Sequence, residues 1–361
     1  MSVFDPRPRI TTDRLVLRPF LPGDADAIRA AVRAGHRFLP PGAPGHVAAV
    51  ADWLSAGVHE LQRSGFGLHL AMVDDQERVV GAISLFRTQW GAGVTEVGYG
   101  VHPLHRGRGF ATEALRGLSE WVFATTTLHR IELRTALTNS ASIRVAEKAG
   151  YAYEGVLRAA EPADDGPQDL VVFGLLRGST GAPNAFVHEE LVTPRLVLRR
   201  FSAADVPDLT ATAADDLTQL RTGLPRDYTE AHGRAYALSI CEQHRLNGGG
   251  IAWAVAEKET GRFVASVDLK GTEWGHRATE VGYMTAPWAR GKGYAGEAVL
   301  AIARWLFARH GFQRLQLRAA VSNLASQRVA EKAGFVREGV ARNGAGGEDL
   351  VVFSLIPSDL P

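Results

Sequence analysis

The chain has 361 residues, which suggests about two domains at the usual domain size. Hydrophobic residues make up 45% and charged residues 22%, an ordinary globular balance, and a net charge of +1 with no basic block argues against nucleic acid as a partner. No apolar run reaches the roughly 18 residues of a membrane span and no apolar segment follows the N-terminus, so a cytoplasmic protein without membrane contact is expected.

Thr12–Arg18 alternates as a short strand, and Asp24 opens a helix through Ile28 and Val32. Pro40–Gly45 is a loop by composition. Helical spacing resumes at Val50, Trp53, Leu54, Val58 and Leu61. Strands are expected over Gly67–Val73 and Val79–Phe86, parted by the turn residues Asp74 and Asp75. Val97, Tyr99 and Val101 keep a strand period, which Pro103 ends because it has no N–H for a ladder. Arg106-Gly-Arg-Gly-Phe-Ala111 then leads into Ala114, Leu115, Leu118, Trp121 and Val122, one apolar face of a helix. A strand Ile131–Thr135 follows. Asn139 can cap a helix over Ser140–Ala149, which Gly150 can end in the left-handed conformation. Strands Tyr151–Arg158 and Leu170–Leu176 close this half.

Gly178–Asn184 is small, polar and rich in breakers, so a linker is expected over 179–187 between domains 1–178 and 188–361. After it the plan restarts. Thr193–Arg199 echoes the first strand, Ala252–Ala256 and Phe263–Leu269 the hairpin, and Leu315–Arg318 the later strand. Glu280-Val-Gly-Tyr and Arg290-Gly-Lys-Gly-Tyr-Ala295 repeat Glu96-Val-Gly-Tyr and the first glycine loop 184 residues on. Asn323–Phe335 echoes Asn139–Tyr151, and Asp349–Leu355 echoes Asp169–Leu175. Each half is therefore expected to be an α/β unit with a mixed sheet of about six or seven strands flanked by helices.

A glycine pair between a strand end and a helix start exposes unpaired amides at the positive end of the helix dipole. Such a place binds phosphate, and glycine lets the ligand approach the main chain. One such pair is a weak signal; the same pair recurring with its flanks intact is a strong one.

With both halves laid out, the pattern resembles the GNAT acyltransferase superfamily, most of all the RimJ/RimL type that acetylates protein N-termini and small amines. The resemblance rests on Arg-x-x-Gly-x-Ala at Arg106–Ala111 and Arg290–Ala295, on the preceding Glu-Val-Gly-Tyr, and on the Asn-x-x-Ser-x-x-Val-Ala-Glu-Lys block. It implies two GNAT-like acetyltransferase domains in tandem, each with acetyl-CoA as co-substrate and no metal. The pyrophosphate would lie on Arg106, Gly107, Arg108, Gly109, Phe110 and Ala111, and on Arg290, Gly291, Lys292, Gly293, Tyr294 and Ala295. Val101 and Thr285 fall where the family's main-chain N–H polarises the thioester carbonyl, an oxyanion-type contact. Asn139 and Asn323 match an asparagine beside the pantetheine; a plain helix cap is compatible with that contact.

For the chemistry, Glu96 and Glu280 stand where a base could act through water, or where a strand glutamate would simply be salt-bridged. Ser142 and Ser326 match a serine that protonates the departing thiol, and are equally ordinary first-turn residues. The tyrosine acid of other branches has no clear counterpart, since Tyr151 becomes Phe335 in the second half. Trp90 and Trp274 correspond, as core aromatics or as walls of an acceptor pocket. His102 and His105 have alanines in their places, which speaks against a shared role. The single Cys241 reads as a buried small hydrophobe. No nucleophile elbow or Cys/His pair is visible, so direct attack in a ternary complex is the expected route to a peptide, protein or small-molecule amine.

The loops around Pro40–Gly45, Thr88–Gly93, Thr222–Tyr228 and Gly271–His276 would set acceptor choice, and they do not match between halves. Two competent sites are expected, because neither half lacks its loop, asparagine or serine. The other reading is one catalytic domain beside a CoA-binding or structural one. A pseudo-dimeric monomer and a homodimer both stay open.

Overall fold

The computed structural model describes residues 4–5, 7–35, 38–163, 166–179, 185–345 and 347–360. It divides into two compact units, Met1–Pro183 and Asn184–Pro361. Residues 180–184 of the expected linker lie outside the described residues. Phe186, also expected in the linker, is fully buried in the core of the second unit.

The first unit runs β1 (Ile10–Thr11), β2 (Leu15–Pro19), α1 (Ala25–Arg33), α2 (Val50–Ser55), α3 (Glu60–Arg63), β3 (Leu68–Asp74), β4 (Val79–Gln89), β5 (Val94–Val101), α4 (Phe110–Thr125), β6 (Arg130–Ala136), α5 (Ser140–Lys148), β7 (Ala152–Glu161) and β8 (Gln168–Leu176). The second runs β9 (Leu191–Val192), β10 (Leu196–Arg199), α6 (Val206–Ala214), α7 (Asp216–Arg221), α8 (Glu230–Ala235), a π-helical turn Tyr236–Ile240, α9 (Cys241–Leu246), β11 (Ile251–Glu257), β12 (Phe263–Glu273), β13 (Ala278–Thr285), α10 (Tyr294–His310), β14 (Arg314–Ala320), α11 (Leu324–Lys332), β15 (Val336–Ala345) and β16 (Glu348–Leu355). Among the described residues, no helix is long and apolar enough to cross a membrane.

Each unit holds one mixed sheet of eight strands, β1-β2-β3-β4-β5-β6-β8-β7 and β15-β16-β14-β13-β12-β11-β10-β9. That exceeds the expected six or seven. The extra strands are β1 and β9, two residues each, too short for any side-chain period to register. Their partners β2 and β10 fold back on them with antiparallel register. In each sheet only the central pair is parallel, β5 with β6 and β13 with β14. A parallel pair needs a long crossover, which α4 and α10 supply.

Helical spacing over Val50–Leu61 does not give one helix. Ala56 leaves the helical region at φ −138° and ψ −51°, and a short 3₁₀ turn at Gly57–His59 separates α2 from α3. The predicted boundaries of α5 hold to one residue: Asn139 caps it and Gly150 follows at φ +87°. α4 buries Phe110, Ala114, Leu115, Leu118 and Val122 against the sheet.

Both cores are closed by an aromatic brought in from the segment ahead of the first strand. Phe4 lies 4.8 Å from the Trp90 ring and 6.3 Å from Trp121. Phe186 repeats this at 4.7 Å from Trp274 and 5.7 Å from Trp305. The indole N–H of Trp90 donates to the Gly65 carbonyl, and that of Trp274 to Gly248, each at 2.8 Å. The two tryptophans are therefore packing residues with satisfied polar edges.

Candidate active site

The sheets open where their parallel pairs part. β5 and β6 are in register from Val94 with Arg130 to Val97 with Leu133, and no further. β13 and β14 pair only from Ala278 with Arg314 to Glu280 with Gln316. Beyond those points Gly98–Val101 and Val281–Thr285 run on with no strand partner on that side among the described residues. Their main-chain groups face a fork rather than a ladder, and such groups call for another partner. Val101 and Thr285, the expected oxyanion positions, are the last residues of these free lengths.

At the mouth of the fork stands the glycine loop. Gly107 and Gly109 have φ +75° and +83°, and Gly291 and Gly293 +75° and +80°. These left-handed angles suit glycine alone at low cost. Gly109 and Gly293 precede the first turns of α4 and α10, whose opening amides have no side-chain cap. Arg106, Arg108, Phe110 and Ala111, like Lys292, Tyr294 and Ala295, lie in or beside the loop.

The loop is buttressed from β2 and β10 by residues that sequence reading passed over. Arg14 Nη1 donates to the Arg108 carbonyl at 2.9 Å, and its Nε to Glu113 Oε2 at 2.7 Å. Arg195 does the same to Lys292 at 3.0 Å and to Glu297 at 2.7 Å. Thr12 and Thr193 donate to the same glutamates at 2.6 Å. Burial alone would raise the Glu113 carboxyl, but the bonds from Thr12 and Arg14 hold it below its ordinary range. The repeated Thr-x-Arg ahead of β2 and β10 was the signal available in the sequence.

The loop arginines differ between domains. Arg106 Nε donates to the Val101 carbonyl at 3.2 Å. Arg290 turns away to Asp215 and to Thr218 Oγ1.

Inside the fork, Asn139 accepts the Ser142 N–H at 3.1 Å and Asn323 the Ser326 N–H at 3.2 Å. Both asparagines are thus caps, and each keeps an amide NH₂ able to donate elsewhere. Ser142 Oγ lies 2.9 Å from Tyr99 Oη, and Ser326 Oγ 2.8 Å from Tyr283 Oη. Burial pushes the Tyr99 phenol up to about 12, against the bond from Ser142, so it stays a donor at neutral pH. Tyr283 is raised for the same reason. These tyrosines sit on the free lengths of β5 and β13, and were read earlier only as strand residues. Tyr151, by contrast, is buried in the first core, its hydroxyl 2.8 Å from Ser119 Oγ.

Glu96 and Glu280 are both ion-paired. Arg87 Nη1 is 3.0 Å and Arg134 Nε 3.6 Å from Glu96 Oε2. Arg318 binds Glu280 Oε2 at 2.6 Å, and Lys270 Nζ stands 3.6 Å from Oε1. His102 and His105 pack on one another at 5.6 Å beside the first loop. Cys241 is half-buried beside Tyr236, and burial pushes its thiol up to about 12, so it is no thiolate nucleophile at neutral pH. Among the described residues no cluster of His, Cys, Asp and Glu could hold a metal ion.

Residues 14–152 and 195–336 each match the family model described as acetyltransferase (GNAT) domain. The chain belongs to this GNAT family. "Probable N-acetyltransferase YjcK" of Bacillus subtilis (strain 168) is 40% identical over 94 residues, covering 26% of this chain and 50% of that protein. The ribosomal-protein-serine acetyltransferase of Escherichia coli (strain K12) is 28% identical over 102 residues, 28% of this chain and 57% of its own. The chain spans about half the length of these curated relatives. A solved ribosomal-protein-S5-alanine acetyltransferase from Vibrio fischeri is 21% identical, covers 48% of this chain and 99% of its own, and has a TM-score of 0.42. The two GNAT matches fall one in each unit, on the two mixed sheets.

Proposed function

We propose that this chain is an acetyl-CoA-dependent N-acetyltransferase with one site in each domain, moving the acetyl group to a primary amine by direct attack in a ternary complex. The observation that carries this is the doubled fork: a parallel strand pair that parts beside a left-handed glycine loop at a helix start. The amides of Gly107–Ala111 and Gly291–Ala295 would receive the diphosphate, with charge from Arg106, Arg108, Arg290 and Lys292. The pantetheine would enter the fork as a substitute strand, within reach of Asn139 or Asn323.

The thioester carbonyl would then meet the main-chain N–H at Val101 or Thr285. The amine nitrogen attacks that carbonyl, the N–C bond forms and the C–S bond breaks. Glu96 or Glu280 takes the amine proton through water. Ser142 or Ser326 gives a proton to the thiolate and is resupplied by Tyr99 or Tyr283, and the phenolate regains its proton from water, to which the glutamate returns the one it took. The acceptor would be a small amine or a peptide N-terminus; the Escherichia coli relative is a ribosomal-protein-serine acetyltransferase.

One observation favours a narrower reading, in which only the second domain transfers. A Cβ built at Gly100 would stand 2.6 Å from the main chain of Phe38, so chain lies directly on the free length of β5. Met284 occupies the equivalent place in the second domain and lines an open cavity. Calorimetric titration with acetyl-CoA, together with thiol release on an amine panel, decides between them. Two binding events with release from both domains support the full reading, and two events with release from the second alone support the narrower one. No binding at either loop defeats both.

A further inference from the structure

The two domains differ on the sheet face opposite α10. In the second domain a cavity of about 220 Å³ opens beside the free length of β13, with Tyr228, Tyr236, Asp268, Lys270, Gly282 and Met284 in its lining. Its floor is the sheet, where Asp268 stands in register with Gly282, and Lys270 with Glu280. A Cβ built at Gly282 would lie 3.1 Å from Asp268 Oδ1 and 3.1 Å from Lys270 Nζ. Carboxylate and ammonium thus lean together over a residue with no side chain. One wall comes from the π-helical turn Tyr236–Ile240, a geometry that is rare and found often at functional sites.

The nearby carboxylates are occupied. Glu280 binds Arg318 and stands 3.6 Å from Lys270 Nζ, a pairing that a ligand carboxylate on Lys270 would share, and Asp205 binds Arg199. Asp268 makes no ion pair and accepts no side-chain hydrogen bond among the described residues. Burial pushes its carboxyl above the ordinary range, and of the charged groups facing it Lys270 and His244 oppose that rise while Glu280 adds to it. A half-buried carboxylate without an ion pair is left partly desolvated, and a cation supplied by a ligand offsets that cost.

At the matching positions the first domain carries other residues. Ser84 holds the place of Asp268 and lies 2.7 Å from His69 Nδ1. Phe86 holds the place of Lys270, with its ring 3.0 Å from a Cβ built at Gly98.

We propose that this cavity is the acceptor site of the second domain and takes a compact zwitterionic amine of the amino-acid class, its ammonium on Asp268 and its carboxylate on Lys270. The inference rests on the acyl-transfer reading given above. Spacing supports it: both groups reach one glycine position, as a ligand with ammonium and carboxylate on neighbouring atoms requires. The aromatic walls add faces on which a cation is favoured.

The test uses the full chain with Gly109→Glu, so that only the second loop is open. Thiol release is followed with the twenty common amino acids, with alaninamide and with ethanolamine, beside calorimetry with acetyl-CoA. At least one free amino acid should be acetylated in preference to alaninamide and ethanolamine. Asp268→Asn and Lys270→Met should each raise its KM at least tenfold, with acetyl-CoA affinity within twofold of the parent. Gly282→Ala, which crowds both side chains without removing either, should raise the same KM. The inference is overturned if the carboxylate-free amines are used as well, or if Asp268→Asn leaves the KM unchanged. It is overturned too if acetyl-CoA binds and no amino acid is used, and in that case the acyl-transfer reading stands. If acetyl-CoA does not bind, that reading falls and this inference with it.

Discussion

Tyr283 reaches from the free length of β13 to the first turn of α11, where its hydroxyl lies 2.8 Å from that of Ser326. Tyr99 and Ser142 repeat the pair at 2.9 Å, and in both domains the partners are 43 residues apart. Each pair ties the free length of a strand to the helix that follows the parting strand. A serine so placed can give a proton and be recharged by a phenol that stays protonated.

Replacing Ser142 and Ser326 by alanine should therefore lower kcat by about 100-fold, the low end for a general acid, with acetyl-CoA affinity kept. Tyr99→Phe with Tyr283→Phe should cost less, about fivefold, because one hydrogen bond is lost and the donor serine remains. Steady-state thiol release with a fixed amine reads both. Equal losses from serine and tyrosine variants, or a loss confined to acetyl-CoA affinity, would remove the proton-donor role.

Gly109→Glu and Gly293→Glu should each abolish one of two acetyl-CoA binding events in calorimetry. At φ +83° and +80° a side chain is strained by about 1–3 kcal/mol, and a carboxylate there repels the diphosphate. A parent protein that shows a single event, or a glutamate variant that keeps both, would contradict the two-loop arrangement.

The buttress under each loop should be separable from the loop itself. Arg14→Ala leaves Glu113 and the Arg108 carbonyl without their shared donor. The pair is half-exposed on the arginine side, so the cost is set near 1 kcal/mol, which for a domain of this size moves Tm by roughly 2–4 °C. Acetyl-CoA affinity should fall several-fold, because the loop carbonyl is no longer tied. Arg195→Ala should do the same in the second domain. Unchanged affinity beside a lowered Tm would make the network a fold support only.

Two histidines predict acid sensitivity. Burial lowers His69 to about 4, helped by the charge of His59, and lowers His188 to about 3, helped by Arg200. Their folded values lie below the ordinary value near 6.5, so between the two the unfolded chain binds a proton that the folded chain refuses. Stability should thus be level above pH 6.5 and fall as pH drops below it, by about 1 kcal/mol per histidine at pH 5.5. Urea midpoints from pH 7.5 to 5 check this. His69→Gln and His188→Gln should flatten the fall, and an unaltered slope would assign it to other groups.

Much of the architecture could be read without coordinates, because it is local. A strand period, a proline stop, a glycine pair and an apolar helix face lie within one stretch, and their recurrence 184 residues on marks two such units. Asn139 and Gly150 declared both ends of α5 by their own backbone chemistry. What lay out of reach was whatever depends on pairing across distance. No period announces that β5 and β6 part after Val97 and Leu133, since the strand alternation runs on unchanged while the neighbour departs. That parting turns Tyr99 from a strand residue into the partner of Ser142. It is likewise the fold that sets Phe4 on Trp90 and Phe186 on Trp274, and that gathers Asp268, Lys270 and Gly282 around one cavity. Local sequence determined which segments become strands and helices; register and long-range packing decided which of their side chains meet.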